Sequence, residues 1–289
     1  MRDMKCIKII LFAISILPVV VVSQEVKKDT IPEKLQRPAF KSSFIIDNPT
    51  NILYTKKSME IGIKHRFGLV NSGEKDYGGI FGASNIRLGL SYAVHDRWTI
   101  GFGITKFNLL QDYNLKVGIL SQTRSEKVPV SVSYYGNFAI DTRKKENFEF
   151  DQDRFSFFHQ IIIARRFGPD ISLQVAPSIS HYNFVEYGMN NDVFGIAVGG
   201  RYKISKQGSI LLDYSHPFTH HLNGEVLDAD PSPGLSIGVE FATLGHAFQI
   251  IISNYNGIVP QQNYMFNQNK FFEGDILIGF NITRIYKFK

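Results

Sequence analysis

The chain has 289 residues, of which 44% are hydrophobic and 20% are charged, and its net charge is +6 at pH 7. This balance excludes a disordered chain, and the single cysteine excludes a disulfide framework and any cysteine-based zinc or iron–sulfur site. The mean hydropathy of −0.08 excludes a bundle of transmembrane helices, which needs repeated apolar stretches of about 20 residues. A barrel of membrane-spanning strands is not excluded by this value, because about half of the side chains in such strands are polar.

The N-terminus has the pattern of a secretory signal over residues 1–23. Arg2, Lys5 and Lys8 precede one apolar run at 9–22, and small residues follow it. A short N-terminal membrane helix is the alternative, which the length of the run disfavours. Residues 24–57 begin as a polar, lysine-rich stretch and are predicted to be a periplasmic leader segment, with a barrel domain at 58–289. Since Cys6 precedes the run, the mature chain has no cysteine, which suits an oxidising compartment.

From residue 58 onwards, apolar and polar side chains alternate with a period of two, which is typical of strands. The first strand shows the pattern, with Met59, Ile61, Ile63, His65 and Phe67 against Glu60, Gly62, Lys64 and Arg66. About twelve such strands follow one another, each close to the ~9–11 residues that a tilted strand needs to cross a bilayer. Residues 154–167 are apolar on both faces, so their facing is ambiguous.

Three features favour a membrane barrel over a soluble sandwich. The connections alternate between short turns, such as 168–170, and long loops, such as 68–84 and 216–233. The polar face carries mid-strand charges that a sandwich interior does not tolerate. Aromatic residues end the last strand, where an interfacial girdle lies. We therefore predict an all-β, antiparallel up-and-down transmembrane β-barrel of about 12 strands in the bacterial outer membrane, with short periplasmic turns and long extracellular loops.

The alternation also predicts which side chains face the lumen. The predicted charged residues of the lumen are Glu60, Lys64, Arg66, Arg87, Lys116, Arg201, Asp213, Glu240 and Asp275. Arg201 and Asp213 are expected to be diagonal neighbours, and Gly101 and Gly103 to leave room for Arg87. A barrel of this size is narrower than the ~16-strand porins. We therefore expect a lumen filled largely by charged pairs, which either stabilise the wall or line a narrow water path.

Aromatic residues near the strand ends are expected at the two membrane interfaces. The candidates are Phe67, Trp98, Tyr202, Tyr286 and Phe288. Arg284 has lipid-facing parity close to the C-terminus, where its guanidinium is expected to reach the lipid headgroups.

Signals for specific chemistry are weak. Imidazoles and carboxylates of one long loop are weak candidates for a metal site: His216, His220, His221, Asp228 and Asp230. Their spacing defines no geometry, so a solvated loop is the favoured interpretation. His181 has lipid-facing parity, but no serine is paired with it in the sequence, and no Gly-x-Ser-x-Gly motif occurs. We predict no catalytic residue and no cofactor.

Several segments resemble one family of bacterial outer-membrane proteins. They are residues 63–68 (IKHRFG), 86–90 (IRLGL), 159–167 (HQIIIARRF), 191–203 (NDVFGIAVGGRYK), 245–249 (GHAFQ) and 274–284 (GDILIGFNITR). The resemblance is to the Bacteroidetes-type membrane-bound β-barrel domain of unknown function (domain of unknown function 5777), and it extends from about residue 40 to the end. It implies the barrel fold and the location, and it implies no activity.

The sequence thus predicts a non-enzymatic integral outer-membrane barrel, either a narrow solute channel or a structural or docking barrel of the envelope. A lipid-acting hydrolase and a surface-loop binding protein are the alternatives. The expected partners are outer-membrane lipids, the barrel-assembly machinery through the C-terminal strand, and a protein in the periplasm or outside the cell. No nucleic acid is expected.

Overall fold

A computed structural model describes residues 33–220 and 230–288. In these residues twelve antiparallel strands form a closed barrel, in which each strand pairs with its neighbours in sequence and β1 pairs with β12. This confirms the predicted fold class. The strands are β1 (Ser58–Leu69), β2 (Asn85–His95), β3 (Trp98–Thr105), β4 (Leu110–Leu120), β5 (Ser131–Asp141), β6 (Phe155–Phe167), β7 (Ile171–Tyr182), β8 (Asp192–Lys203), β9 (Gly208–Phe218), β10 (Gly234–Ala242), β11 (His246–Ser253) and β12 (Leu277–Lys287).

The alternation seen in the sequence separates two faces in the structure. On β10, for example, Ser236 and Glu240 are buried, while Ile237, Val239 and Phe241 are exposed on the outside. Large apolar side chains are exposed on the outer face all around the barrel, and a surface this apolar is suited to hydrocarbon rather than water. No helix in the described part of the chain has the length and apolar character needed to span a membrane.

The two ends of the barrel differ. Tight connections, such as residues 96–97 and 168–170, join the strands at what we call the short-turn end, where Ser58 of β1 also pairs with Lys287 of β12. At the opposite end, which we call the long-loop end, the connections span residues 70–84, 142–154, 183–191, 219–233 and 254–276, and only 106–109 is short.

A hairpin formed by residues 39–54, the plug hairpin, fills the lumen from the short-turn end. It turns at residues 46–47, where the Ile45 N–H donates to the Asn48 carbonyl at 2.9 Å and the Thr50 N–H to the Ser43 carbonyl at 2.9 Å. Its apolar side chains pack on an apolar patch of the inner wall: Phe40, Ile45, Ile46 and Ile52 against Ala164, Leu211 and Ile251. The expectation that residues 24–57 form a leader outside the barrel is therefore wrong for this stretch, because its apolar residues have partners on the wall. The predicted signal segment at 1–23 lies outside the described residues.

The loop at 254–276 enters the lumen from the other end. It carries the short helix α1 (Pro260–Phe266), whose Tyr264 and Met265 pack against Phe158 and Ile162 of β6. This contact explains why β6 is apolar on both faces. The Tyr264 hydroxyl donates to Oδ1 of Asn48, at 3.4 Å, so helix and plug hairpin meet inside the barrel. These two segments of the chain fill most of the lumen, so the prediction of a lumen filled largely by charged pairs is wrong.

Candidate functional site

Most of the charged residues predicted for the lumen lie there. The side chains buried inside the barrel are Glu60, Lys64, Arg66, Arg87, Lys116, Arg201, Asp213 and Glu240. Asp275 does not join them, because β12 begins only at Leu277. Its carboxylate lies in the loop, where it accepts hydrogen bonds from the side chain of Asn71 (2.8 Å) and the N–H of Lys270 (3.1 Å). These donors and the Lys270 charge hold the pKa of Asp275 below its usual range.

Arg87 is held by a carboxylate of the wall itself. Its Nε and Nη2 donate to the two carboxylate oxygens of Asp112, both at 2.7 Å, and Asn137 donates to the same carboxylate at 3.0 Å. The guanidinium lies over Gly103, where an added Cβ would be 2.2 Å from Nη2, and beside Gly89. Gly101, the other predicted neighbour, faces Asn114 instead.

The turn of the plug hairpin is bound by charged groups of the wall. Asp47 pairs with Arg66 at 2.9 Å, and both side chains are almost fully buried. Asp213 accepts the backbone N–H groups of Asp47 (2.9 Å) and Asn48 (3.0 Å) and the side-chain amide of Asn48 (2.9 Å). Asp213 lies opposite Gly199 and is therefore the diagonal neighbour of Arg201, as predicted, but its carboxylate binds the plug hairpin rather than Arg201. Arg201 instead pairs with Glu240 at 3.1 Å.

The base of the plug hairpin is bound in the same way. The Ser42 hydroxyl donates to Glu240 at 2.7 Å, and the hydroxyls of Ser43 (2.6 Å) and Tyr54 donate to Glu60. The Lys116 ammonium donates to the carbonyl of Ser43 at 3.2 Å. The wall charges therefore bind the plug hairpin along its length, and few of them are left to face an open pore.

Lys64 differs from the other buried cations. Its Nζ lies 3.1 Å from the centre of the Phe44 ring, and it has no hydrogen-bond partner among the described residues. It stands directly opposite Arg87 in the pairing of β1 with β2. Two positively charged side chains are thus direct cross-strand neighbours on the inner face of the barrel.

Space is left on one side of the plug hairpin, along β1 to β4, β11 and β12. A small cavity of about 30 Å³ includes Gly62, Lys64, Arg87 and Gln249 in its lining. A second small cavity, of about 20 Å³, shares Ser43, Phe44, Glu60, Ser91 and Asn114 with it. This second cavity shares Ile52 and Tyr54 with a wider one, of about 390 Å³, at the short-turn end. Three neighbouring spaces, of which the inner two hold only a few water molecules, therefore lie between that end and the middle of the barrel.

The path ends at the Arg87–Asp112 pair. Asn137 extends this pair towards α1, because its side-chain oxygen accepts a hydrogen bond from Gln261 at 2.9 Å. Beyond these residues a separate cavity of about 330 Å³ is lined by residues of the long-loop end. The hydrogen-bonded cluster of Arg87, Asp112, Asn137 and Gln261 separates the two.

The two ends of the barrel carry opposite charge. Basic residues dominate the described part of the short-turn end from residue 34 on: Lys34, Arg37, Lys41, Lys56, Lys57, Arg97, Arg124, Lys127, Arg165, Arg166, Lys203, Lys206, Arg284 and Lys287. The acidic residues there are Asp96, Glu126 and Asp170. Acidic residues prevail in the described long loops. Such an asymmetry attracts anions to the short-turn end.

The predicted interface aromatics lie at the rims of the outer face. Trp98, Tyr202, Tyr286 and Phe288 are at the short-turn end, and Phe67 is near the long-loop end. The Arg284 guanidinium lies 4.7 Å from the centre of the Tyr286 ring on the outer face. This position suits a cation at the membrane interface.

The metal and hydrolase candidates gain no support. His216 belongs to β9, not to the loop, and its ring lies among Tyr214 and Phe218. His220 bonds Asp230 at 2.8 Å, while His221 and Asp228 lie outside the described residues. No group of three or more histidine, cysteine or acidic side chains suited to a metal occurs in the described ranges.

Both nitrogen atoms of the His181 ring have partners, and neither partner is a serine. Its Nδ1 bonds Asp192 at 2.8 Å, and its Nε2 contacts Oδ1 of Asn183 at 3.1 Å. A hydrolase nucleophile would need one of these ring nitrogens.

The residues that sequence reasoning missed are those of the plug hairpin and α1. Asp47 and Asn48 anchor the hairpin, and Tyr264 contacts it. A signal was present in the sequence, because apolar residues precede and follow the turn-favouring sequence Asp-Asn-Pro at 47–49. In a solvated leader segment, these apolar residues would be exposed to water.

Comparison with known proteins agrees with this architecture. The chain belongs to the family described as a membrane-bound beta barrel domain (domain of unknown function 5777), which matches residues 40–286. The matched region therefore includes most of the plug hairpin. No curated protein sequence matches the chain.

Solved structures show the same fold at low identity. The structure of the NanC porin superposes with a TM-score of 0.52 and 8% identity, over 80% of this chain and 99% of that one. An outer-membrane channel from Pseudomonas putida F1 gives a TM-score of 0.50 and 10% identity, over 81% of this chain and 97% of that one. The family and these folds support an outer-membrane location.

Proposed function

We propose that this protein is a non-enzymatic outer-membrane channel for small polar solutes, with its path beside the plug hairpin. The observation that carries the proposal is the row of three adjoining cavities between the short-turn end and the middle of the barrel. The wall of this row includes Gly62, which leaves the space beside it open. The two superposed structures, described as a porin and a channel, support it further.

The orientation follows from the two kinds of connection. Outer-membrane barrels have short periplasmic turns and longer extracellular loops. We therefore place the basic short-turn end in the periplasm and the acidic long loops outside the cell. In this orientation the Arg87–Asp112 pair and its neighbours form the barrier between the periplasmic cavities and the outside.

Electrical recording in planar lipid bilayers tests the proposal, and Gly62→Leu is the variant that blocks the path. A Cβ at Gly62 would meet only Thr283, at 4.0 Å, so the position is open, and a larger side chain there occupies the cavity. We expect small, resolvable currents from the wild type and a clear reduction in Gly62→Leu. Gly200→Leu is the matched control, because Gly200 alternates with the buried Arg201 and faces outwards.

Two outcomes would contradict the channel. Wild-type protein that gives no current above the lipid background would leave a structural barrel as the function. Equal currents from the wild type and Gly62→Leu would show that solutes do not pass beside the plug hairpin.

A further inference from the structure

The cavity at the long-loop end, which we call the loop cavity, has the size and position of a ligand site. Its volume of about 330 Å³ equals that of about ten water molecules in the liquid, and sites for small molecules usually measure about 300–1,000 Å³. Its inner side borders α1, because Ser156 of its lining accepts a hydrogen bond from Gln261 at 3.4 Å. Most of its other lining residues belong to the connections of the long-loop end. A ligand that comes from that side therefore reaches it before the lumen.

Aromatic side chains surround the loop cavity. They come from five separate segments of the chain: Phe107, Phe148, Tyr182, Phe184 and Phe266. Tyr182 and Phe266 pack edge to face, with their ring centres 4.9 Å apart, whereas Phe184 is 52% exposed. Exposed apolar side chains that gather around a cavity mark a binding surface. The loop cavity therefore offers several ring faces to one ligand.

Polar groups are held in place between these rings. The Nε and Nη2 of Arg143 donate to the carboxylate of Asp141, the shortest contact being 2.7 Å. Arg154 donates to the Asp141 carbonyl at 3.4 Å, and its guanidinium lies 4.9 Å from the centre of the Phe148 ring. The Oδ2 of Asp153 accepts a backbone N–H of the same loop at 2.8 Å. The planar polar groups are thus fixed before any ligand binds.

Both donors and acceptors remain unused in this lining. The amide of Asn108 and the carboxylate of Glu186 line the loop cavity and form no hydrogen bond within the described residues. The same holds there for the Nε and Nη2 of Arg154 and for the Oδ1 of Asp153. A hydroxyl group both donates and accepts, so it satisfies groups of either kind.

The fixed charges of the loop cavity favour a neutral ligand. Arg143 and Asp141 neutralise each other in an ion pair at 2.7 Å. Of the other charged groups, the carboxylates of Asp153 and Glu186 disfavour an anion. An organic cation at the Phe148 ring is opposed by the guanidinium groups of Arg143 and Arg154, which already lie 5.9 Å and 4.9 Å from its centre.

We propose that the loop cavity binds a neutral sugar ring, a pyranoside. The C–H face of such a ring is apolar and packs on an aromatic side chain, while the hydroxyls at its edge bind the fixed amide, guanidinium and carboxylate groups. Because aromatic side chains lie on several sides, the best fit is a ring whose hydroxyls are all equatorial, since both of its faces are then apolar. The site goes beyond the proposed channel, because it binds its ligand whether or not the lumen conducts.

Saturation-transfer NMR tests the site with methyl β-D-glucopyranoside, whose hydroxyls are all equatorial. The whole protein is purified in a detergent without a sugar headgroup, so that the detergent does not compete. We expect saturation of the ring C–H hydrogens of the glycoside and a titration that reaches a plateau. Sorbitol is the matched probe, because it has the hydroxyls but no ring face, and it should give no saturable signal.

Phe184→Ala removes the most accessible part of the aromatic lining and should weaken glycoside binding about fivefold, the equivalent of about 1 kcal/mol for an aromatic contact. Tyr187→Ala is the matched control. Tyr187 belongs to the same loop and is 85% exposed, but it does not belong to the lining of the loop cavity. This variant should bind the glycoside as the wild type does.

Asn108→Gly tests the polar part of the site. Asn108 has a φ of 55°, which glycine adopts without strain, so the variant removes the amide and keeps the backbone. We expect about fivefold weaker binding, the equivalent of about 1 kcal/mol for one hydrogen bond. Heat-modifiable migration in gels shows that each variant has folded into a barrel.

The proposal is overturned if the glycoside gives no saturable signal with the wild type, or if folded Phe184→Ala and Asn108→Gly both bind it as tightly. An equal loss in Tyr187→Ala would also reject it, since the loop as a whole would then be responsible. Sorbitol binding as strongly as the glycoside would exclude recognition of a ring face. Displacement of the glycoside by tetramethylammonium would assign the loop cavity to an organic cation instead. All of these outcomes are independent of any current through the barrel.

Discussion

Carboxylates of the lumen have similar surroundings in the sequence but different partners in the structure. Asp112 binds a guanidinium of the neighbouring wall, whereas Asp213 binds three N–H groups of the plug hairpin. The alternation along each strand predicts that both side chains point into the lumen. Which partner each carboxylate binds depends on the donors that the plug hairpin presents. Strand register therefore predicts the location of a lumen charge and not its role.

Asp47 is the residue on which the position of the plug hairpin depends most. Asp47→Ala removes the ion-pair partner of the buried Arg66 and one of the two acceptors near the Ser236 hydroxyl. Breaking a buried ion pair in this way costs about 3–5 kcal/mol. We expect a loss of this size in the free energy of unfolding, measured in detergent from the fluorescence of Trp98, the single tryptophan.

Asp170→Ala provides the comparison for Asp47→Ala. Asp170 pairs with Lys203 at 3.8 Å on the exposed rim, where such pairs contribute about 0–1 kcal/mol. Similar losses in the two variants would show that the Asp47–Arg66 pair does not hold the plug hairpin.

The plug hairpin and α1 are elements that cannot be stable alone. A two-stranded hairpin is marginal in water, and a helix of 7 residues is shorter than an isolated helix needs to be. The plug hairpin obtains its shape from apolar contacts with the inner wall and from hydrogen bonds to buried charges. The helix α1 obtains its shape from apolar contacts with β6. This dependence explains why local sequence patterns predict the twelve strands and miss these two segments.

Gly195 on β8 determines how closely α1 approaches the wall. A Cβ at this position would be 2.2 Å from the Tyr264 ring. Gly195→Ala should therefore displace α1 and destabilise the fold by about 1–3 kcal/mol, the usual effect of overpacking. We expect faster proteolysis within residues 254–276, while gel migration still shows a closed barrel.

Gly200→Ala is the control on the same strand, because the nearest atom to its Cβ would be a Leu173 methyl carbon at an ordinary 3.5 Å. In Gly200→Ala, the loop at residues 254–276 should be cleaved at the wild-type rate. Unchanged cleavage in Gly195→Ala would show that the ring of Tyr264 does not hold α1 in place.

At the scale of the whole molecule, the sequence determines the barrel through a pattern that every strand repeats. One apolar face in contact with lipid and one polar face inside require only the period of two, which is why strand number, order and turn lengths were predictable. The contents of the lumen were not predictable in this way. They depend on contacts between residues far apart in the chain, such as Asp47 with Ser236, and no local period encodes these.

The orientation of the barrel in the bilayer can be tested with its single tryptophan. Trp98 is half exposed on the outer face, at the first residue of β3 and so at the short-turn rim. Tryptophan at such a rim lies at the level of the headgroups. In vesicles, lipids brominated near the headgroup should quench its fluorescence more strongly than lipids brominated near the chain ends. The reverse order would mean that the membrane belt is displaced along the barrel.

The plug hairpin is joined to β1 by only residues 55–57. If it leaves the lumen, it remains attached at the rim, and a short tether keeps its effective concentration near the empty lumen in the millimolar range. Reclosure is then a unimolecular step, whose rate does not depend on how many copies of the protein the membrane holds. Opening would be brief and self-limiting, and a lasting open state would require something that captures the released hairpin.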